Sequence, residues 1–141
     1  MGENSKVDSQ FSIQYCIANA LVRGSSRLDH FEENQVRNEK VLGLTKKIKV
    51  IADESMETRG HTPLDMNVRI RDGREMFRQL DIAPGFPGNF LSEEDHEKRF
   101  QDCLDFAKKP VSRERATQIV SLIRDLERID DAQKLVELLL I

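Results

Sequence analysis

Three residues whose side chains could bind a ligand or take part in a reaction stand close together at the start of an apolar stretch: Ser12, Gln14 and Tyr15. If that stretch is a helix, the backbone N–H groups of its first turn favour an anion. A tyrosine there could donate a proton to a developing negative charge or orient a carboxylate. The alternative is a core tyrosine whose hydroxyl is satisfied inside the fold, and the pattern alone favours that alternative.

The other side chains match no common arrangement for catalysis or metal binding. His30, His61 and His96 are scattered through polar surroundings without metal-ligand spacing, so we interpret each as a surface histidine. The sequence contains neither a glycine-rich phosphate-binding motif nor a Gly-x-Ser-x-Gly elbow. The sequence therefore predicts no metal site and no nucleotide cofactor.

Both cysteines, Cys16 and Cys103, lie inside apolar helical patterns. Buried free thiols in a reducing compartment are the simplest interpretation, although the sequence leaves a disulfide between them open.

Composition points away from nucleic-acid binding and from membranes. The net charge of the 141 residues is −3, with acids and bases interspersed, and the run Lys46-Lys47-Ile48-Lys49 is interpreted as the solvated side of a helix end and strand start. No apolar run is long enough to span a bilayer, and the first residues lack the apolar segment of a signal peptide. These features predict a cytoplasmic protein that binds neither nucleic acid nor membrane.

The first half of the chain predicts a polar tail followed by helices and a strand. Residues 1–8 are expected to be a disordered tail, and residues 11–22 form an apolar helix closed by Gly24. A polar helical stretch follows over residues 29–47, capped by Asp29 and broken near Asn38. Residues 48–52 are rich in β-branched side chains and predict a strand.

The second half predicts a hairpin followed by helices. Alternating residues on either side of Asp72-Gly73 indicate a hairpin over about residues 66–80. Ser92 and Ser112 are typical helix caps, with Asp95 completing a capping box, and the intervening helix ends before Pro110. The expected fold is one α+β domain over residues 9–141, with a small, largely antiparallel sheet and helices packed on one face.

With these elements in place, the chain resembles the C-terminal part of the MmgE/PrpD family over about residues 9–140. The resemblance rests on several motifs that occur in the family's order. They are Phe11-Ser12-Ile13-Gln14-Tyr15 with Ala18, Ala20-Leu21 and Gly24; Phe31 to Val50; Asp72-Gly73; Gly85-Phe86-Pro87-Gly88-Asn89 with Leu91 to Asp95 and Lys98-Arg99-Phe100; and Leu126-Glu127 with Leu135 and Leu138-Leu139. Phe90 departs from the family pattern, which usually has proline at that position.

The resemblance implies a function shared between two parts of a longer protein. Family members are lyases and isomerases that dehydrate, decarboxylate or epimerise small polycarboxylates by general acid–base chemistry, without an obligatory organic cofactor. Their active site lies in the cleft between a large helical domain and a smaller α+β lid. By this resemblance the chain is the lid portion, its partner is the missing N-terminal helical domain, and it is inactive alone. Tyr15 is carried over as an active-site residue, with Ser12 and Gln14 as substrate-binding candidates.

A second hypothesis comes from the apolar helix at residues 11–22, which so small a domain cannot bury completely. In that case the chain is a stand-alone binding or assembly module, docking through this helix on another protein or on a second copy of itself.

Overall fold

A computed structural model describes residues 5–140. Over these residues the chain forms seven α-helices, three short 3-10 turns and one two-stranded antiparallel sheet, which confirms the α+β class. The described backbone divides between Lys98 and Arg99 into two compact units. The single domain expected over residues 9–141 stays a prediction.

Two helices open the first unit: α1, Ser5–Gln10, and α2, Ile13–Arg23. The predicted helix begins two residues later than expected, at Ile13. Its cap is confirmed, because Gly24 has a φ of 72° and its N–H bonds to the carbonyl of Ala20. At the other end Ser12 caps α2 by accepting a hydrogen bond from the N–H of Tyr15. The expected disordered tail differs from the structure over residues 5–8, which belong to α1, while residues 1–4 lie outside the described residues.

The following segment is shorter and more broken than a continuous helix. A 3-10 turn, Leu28–Phe31, leads to α3, Glu33–Val36, and α4, Glu39–Thr45. The break at Asn38 is confirmed, since its side chain accepts hydrogen bonds from the first two N–H groups that follow Glu39. The predicted cap at Asp29 is wrong, because the turn begins after Arg27 and Asp29 lies inside it.

The core of this unit is formed by its helices. Its buried hydrophobic residues are Tyr15, Ala18, Phe31, Val36 and Val41, with Cys16, Leu42, Leu44 and Ile48 half-buried against them. None of the strand residues is buried. A core of this size covers only one side of α2, so the other side remains exposed.

The strand predicted over residues 48–52 is wrong. The N–H of Ile48 bonds to the carbonyl of Thr45, which continues the turn at the end of α4, and the residues after it have no regular structure. Ile51 is 71% exposed. A β-branched run becomes a strand only when another strand pairs with its backbone, and here none does.

The predicted hairpin is confirmed. Strand β1, Leu64–Arg69, pairs with β2, Glu75–Leu80, in a register that sets Leu64 opposite Leu80 and Arg69 opposite Glu75. Gly73 has a φ of 89° in the connecting turn, a conformation that glycine adopts without steric cost. Arg59 holds the open end of the hairpin, with N···O distances of 2.7 Å to Asp65 and 2.8 Å to Asp81.

Helix α5, Glu93–Asp105, crosses the boundary between the two units, and α6, Arg113–Arg124, packs against α7, Gln133–Leu139, in the second unit. The predicted caps are confirmed, because the Ser92 and Ser112 hydroxyls accept the N–H groups three residues on. Cys103 on α5 is exposed and Cys16 is half-buried, so the expectation of two buried thiols is wrong. Both are free cysteines.

Candidate functional site

An open groove of about 570 Å³ lies where the start of α2 meets α1 and the end of α4. All three residues singled out from the sequence, Ser12, Gln14 and Tyr15, line it. The remaining lining residues are Asp8, Ser9, Leu42, Thr45 and Lys46.

Ser12 and Gln14 are held at the groove by the start of α2. The Ser12 hydroxyl oxygen accepts the N–H of Tyr15 at 3.2 Å and lies 3.4 Å from the side-chain oxygen of Gln14. This contact leaves the amide nitrogen of Gln14 as a hydrogen-bond donor beside the first turn of a helix. A carboxylate could accept a hydrogen bond from that amide, and the helix dipole would favour its charge.

Tyr15 borders the groove, but its hydroxyl is engaged in the core. The side chain is only 2% exposed, and the hydroxyl donates to the backbone carbonyl of His30 at 3.2 Å. The ring lies 5.8 Å from the ring of Phe31, centroid to centroid. Burial raises the pKa of the Tyr15 phenol above its ordinary value, and the nearby Arg23 opposes that shift in part. This geometry agrees with the interpretation of Tyr15 as a core residue whose hydroxyl is satisfied inside the fold. A catalytic role for Tyr15 stays a prediction.

Four polar residues of the groove were not found by reading the sequence: Asp8, Ser9, Thr45 and Lys46. Lys46 follows α4, and its cationic side chain brings to the groove a charge that suits a carboxylate. The sequence interpretation of Lys46 as a solvated helix end is accurate locally, because the residue is exposed. What it could not include is the packing of α2 against α4, which brings residue 46 near residue 12.

His30 corrects the prediction that every histidine lies at the surface. It is 8% exposed, and its Nδ1 lies 3.3 Å from both the Asn19 side-chain nitrogen and the backbone N–H of Arg27. Burial lowers the pKa of His30, and the positive charge of Arg23 lowers it further. His61 and His96 are exposed, as predicted.

Within residues 5–140, no group of three or more histidine, cysteine or acidic side chains could hold a metal ion. Over the same part of the chain no helix is long and apolar enough to cross a membrane.

Comparison with known proteins supports one family. A family model described as the MmgE/PrpD C-terminal domain matches residues 2–125, and residues 126–141 lie beyond that match. The chain is also 25% identical over 137 residues to a mouse (Mus musculus) protein named cis-aconitate decarboxylase. That alignment covers 96% of this chain and 28% of the relative, so the chain spans less than a third of the relative's length.

Proposed function

The chain belongs to the MmgE/PrpD family through its C-terminal domain, and from this premise we propose that it is the lid portion of a lyase or isomerase acting on small polycarboxylates. The reaction would be dehydration, decarboxylation or epimerisation by general acid–base chemistry. The family match over residues 2–125 is the observation that carries the proposal. The decarboxylase name of the mouse relative makes cis-aconitate the first substrate to try.

The groove supports a carboxylate as the group recognised on this side of the active site. Gln14 offers an amide donor, Lys46 offers a positive charge, and the first turn of α2 adds backbone N–H groups. Asp8 lies in the same groove, and its negative charge would weaken the binding of any carboxylate placed beside it. The proposed role of this chain is to bind a substrate carboxylate away from Asp8, with Ser12 and Gln14 as the contacts and Tyr15 as a proton donor or an orienting group.

The exposed apolar side chains of α2 support a missing partner domain. Ile13 is 50% exposed and Leu21 is 54% exposed, and Phe11 just before the helix is 86% exposed. Apolar side chains that are grouped on one element and left open mark a surface that another chain or domain covers. In this proposal the cover is the N-terminal helical domain of the family, which also supplies the remaining acid–base groups. The chain alone would then be inactive.

The experiment begins with the DNA upstream of Met1 in its natural setting. If an open frame precedes Met1, the complete protein is expressed beside this chain alone, and both are assayed with cis-aconitate and other small polycarboxylates. We expect turnover by the complete protein and none by the chain. Enzyme-like turnover by the chain alone would overturn the claim that it is inactive, and an inactive but folded complete protein would count against the lyase or isomerase.

A matched pair of variants tests the site in the complete protein. Gln14→Leu removes the amide donor, so KM should rise. Gln35→Leu is the control: it removes an amide that accepts a hydrogen bond from Arg23 outside the groove, so KM should stay unchanged. If both variants raise KM equally, the effect is one of folding rather than of substrate binding.

A second candidate function is favoured by the same exposed helix. The chain would then be a stand-alone binding or assembly module that docks through residues 11–22 on another protein or on a second copy. A stop codon upstream of Met1, with a dimer seen by light scattering, would support this function. A monodisperse monomer that binds no apolar dye would exclude it.

A further inference from the structure

The outer edge of strand β1 presents backbone groups that no other strand uses within the described residues. In an antiparallel pair such as β1 and β2, opposite residues alternate between pairs that exchange backbone hydrogen bonds and pairs that do not. Ile70 donates its N–H to the carbonyl of Arg74 at 3.0 Å, which continues the register and makes the even-numbered residues of β1 the bonded ones. The N–H and carbonyl groups of Asp65, Asn67 and Arg69 therefore point away from β2, and they have no backbone partner within residues 5–140.

One face of the hairpin is apolar. Leu64, Met66 and Val68 of β1 share this face with Met76 and Leu80 of β2, because residues opposite each other in the register lie on the same side of the sheet. Leu64 is 42% exposed and Met76 is 53% exposed. A sheet of two strands is only marginally stable in water, and further strands with a continuous apolar face stabilise it. A strand added at the outer edge of β1 would extend the apolar face.

The sequence of β1 is complementary to itself when it is read in the opposite direction. The residues at equal distances on either side of Asn67 are Met66 and Val68, Asp65 and Arg69, and Leu64 and Ile70. Each pair joins two apolar side chains or two opposite charges. If β1 pairs antiparallel with β1 of a second copy about a two-fold axis at Asn67, these residues lie directly opposite each other, and such pairs stabilise a sheet. An axis at Asp65 or at Arg69 would instead place like charges opposite each other.

The charges along this edge also favour a second copy. Arg59 binds both Asp65 and Asp81, at 2.7 Å and 2.8 Å, so this cluster of one guanidinium and two carboxylates carries an excess of negative charge. Arg69 lies 3.7 Å from Glu75, and both side chains are largely exposed, so this ion pair contributes little. In the antiparallel pairing, Arg69 of the second copy would lie opposite Asp65 and neutralise the cluster. Because the axis is two-fold, the contact would occur twice.

We propose that the outer edge of β1 binds β1 of a second copy of this chain, antiparallel and centred on Asn67, so that two hairpins form one four-stranded sheet. The backbone groups of Asp65, Asn67 and Arg69 make the hydrogen bonds between the copies. The pairing involves none of the residues that line the groove and none of those on α2. It requires neither the family match nor the proposed reaction, so its test does not depend on the proposed function.

The first measurement is the mass of the intact chain in solution at increasing concentration, by light scattering. We expect the mass to rise from 16.3 kDa toward twice that value. Arg69→Glu should raise the dissociation constant of the dimer by about tenfold or more, because it would place like charges opposite each other at two positions. Arg71→Glu makes the same change of charge in the turn, so it is the control and should leave the dissociation constant unchanged.

A second pair of variants tests the backbone groups. Asn67→Pro removes an N–H that points to the outer edge of β1 and leaves the hydrogen bonds between β1 and β2 in place, so the dimer should be lost. Gln79→Pro removes the corresponding N–H at the outer edge of β2, so the dimer should persist. Circular dichroism checks that both variants fold.

A disulfide locates the two-fold axis. Opposite residues in a hydrogen-bonded pair have Cα atoms about 5.5 Å apart, which is within the range that a disulfide bridges. Asn67→Cys is made together with Cys103→Ser, which removes the exposed native thiol, and this variant should form a disulfide-linked dimer under mild oxidation. Gln79→Cys with the same Cys103→Ser change has its new thiol at the other edge of the hairpin and should form no linked dimer.

Three results would overturn the pairing: a mass that stays at 16.3 kDa at every concentration, a dimer that Arg69→Glu and Arg71→Glu weaken equally, or a dimer in which Asn67→Cys forms no disulfide. The last two would mean that the copies meet at another surface, such as residues 11–22. If Asn67→Pro does not fold, the charge and thiol variants still decide. None of these readouts is an activity, so failure of the lyase or isomerase proposal would appear separately, in the assay of the complete protein.

Discussion

At the scale of single residues, one side chain of the candidate site, that of Tyr15, also belongs to the hydrophobic core. Tyr15 is both the largest fully buried side chain of the small core and a member of the groove. A phenol that stabilises the fold through a carbonyl cannot at the same moment donate to a ligand, since it has a single proton. Its two roles must therefore be separated by measuring stability and activity independently.

Tyr15→Phe should destabilise the chain by about 0.5–1.5 kcal/mol, because it removes the hydrogen bond to the His30 carbonyl and leaves the ring contacts in place. Urea unfolding followed by circular dichroism measures the loss. Phe31→Leu is the comparison variant, because it removes the aromatic ring next to Tyr15 and keeps the Tyr15 hydroxyl; it measures the part of the stability that comes from the ring contact. An unchanged unfolding midpoint in Tyr15→Phe would mean that the hydroxyl is not held in the core in solution.

The protonation of His30 should be visible in how the free energy of unfolding changes with pH. Its pKa is lower in the folded chain than in the unfolded chain, so between the two values the unfolded state binds more protons. The free energy of unfolding should therefore be largest above about pH 6.5, the unfolded value, and decline as the pH falls toward the folded pKa. Denaturant titrations at a series of pH values measure this.

The control for that series is His30→Asn, which should lack the decline just below pH 6.5. Both proteins should lose stability together at lower pH, where Asp81 and Asp95 become protonated, because hydrogen bonds to Arg59 and Ser92 lower the pKa of these carboxyls. Parallel curves over the whole range would contradict a buried, neutral histidine.

At the scale of elements, turns and caps are determined by short-range chemistry, whereas packing decides which elements persist. The Asp72-Gly73 hairpin and the helices capped by Ser12 and Ser112 formed where the local residues required them. Residues 48–52 have strand-forming side chains but no strand to pair with. Replacing glycines by alanine tests this directly, because some glycines have a positive φ that alanine adopts only with strain and others lie inside a helix.

Gly88→Ala and Gly43→Ala should change stability in opposite directions. Gly88 has a φ of 95°, and a Cβ added there would lie 2.9 Å from Cδ1 of Ile82, so alanine should cost about 1–3 kcal/mol in that loop. Gly43 lies inside α4 with open space around it, so alanine should stabilise that helix by about 0.5–1 kcal/mol. Thermal unfolding of the two variants and of the unaltered chain measures both changes in stability. An alanine that is tolerated at residue 88 without loss of stability would contradict the left-handed conformation of Gly88.

At the scale of the whole molecule, the residues described leave many large apolar side chains in solvent. They occur on α2, on the hairpin and on α7, and include Leu21, Met76, Phe77, Val136 and Leu139, all more than half exposed. A helix or hairpin that leaves several large apolar side chains open is typical of a surface that another chain or domain covers. In the proposed function, the N-terminal helical domain of the family would cover the apolar side chains of α2.

The isolated chain should therefore bind an apolar dye, and the double variant Ile13→Gln and Leu21→Gln should bind less. Both side chains lie on the exposed part of α2, so their replacement should not disturb the core. Lys40→Gln, a change of an exposed charged residue on α4, is the control and should leave dye binding unchanged. Equal dye binding by all three proteins would show that α2 is not the exposed apolar surface. If the complete protein carries the missing domain, it should bind little dye without any substitution.

The sequence by itself determined the local features: the apolar helix with its Gly24 cap, the hairpin turn, the break at Asn38 and the α+β class. Each depends on a few neighbouring residues, so their physical cause is present in the order of amino acids. It also identified Ser12, Gln14 and Tyr15 as a group, because they share one helix turn. Only the tertiary structure decided that His30 is buried, that Lys46 joins the groove and that residues 48–52 remain unpaired. These outcomes depend on the packing of α2 against α4 and of the turn at residues 28–31 against its neighbours, contacts between residues far apart in the chain that no local pattern encodes.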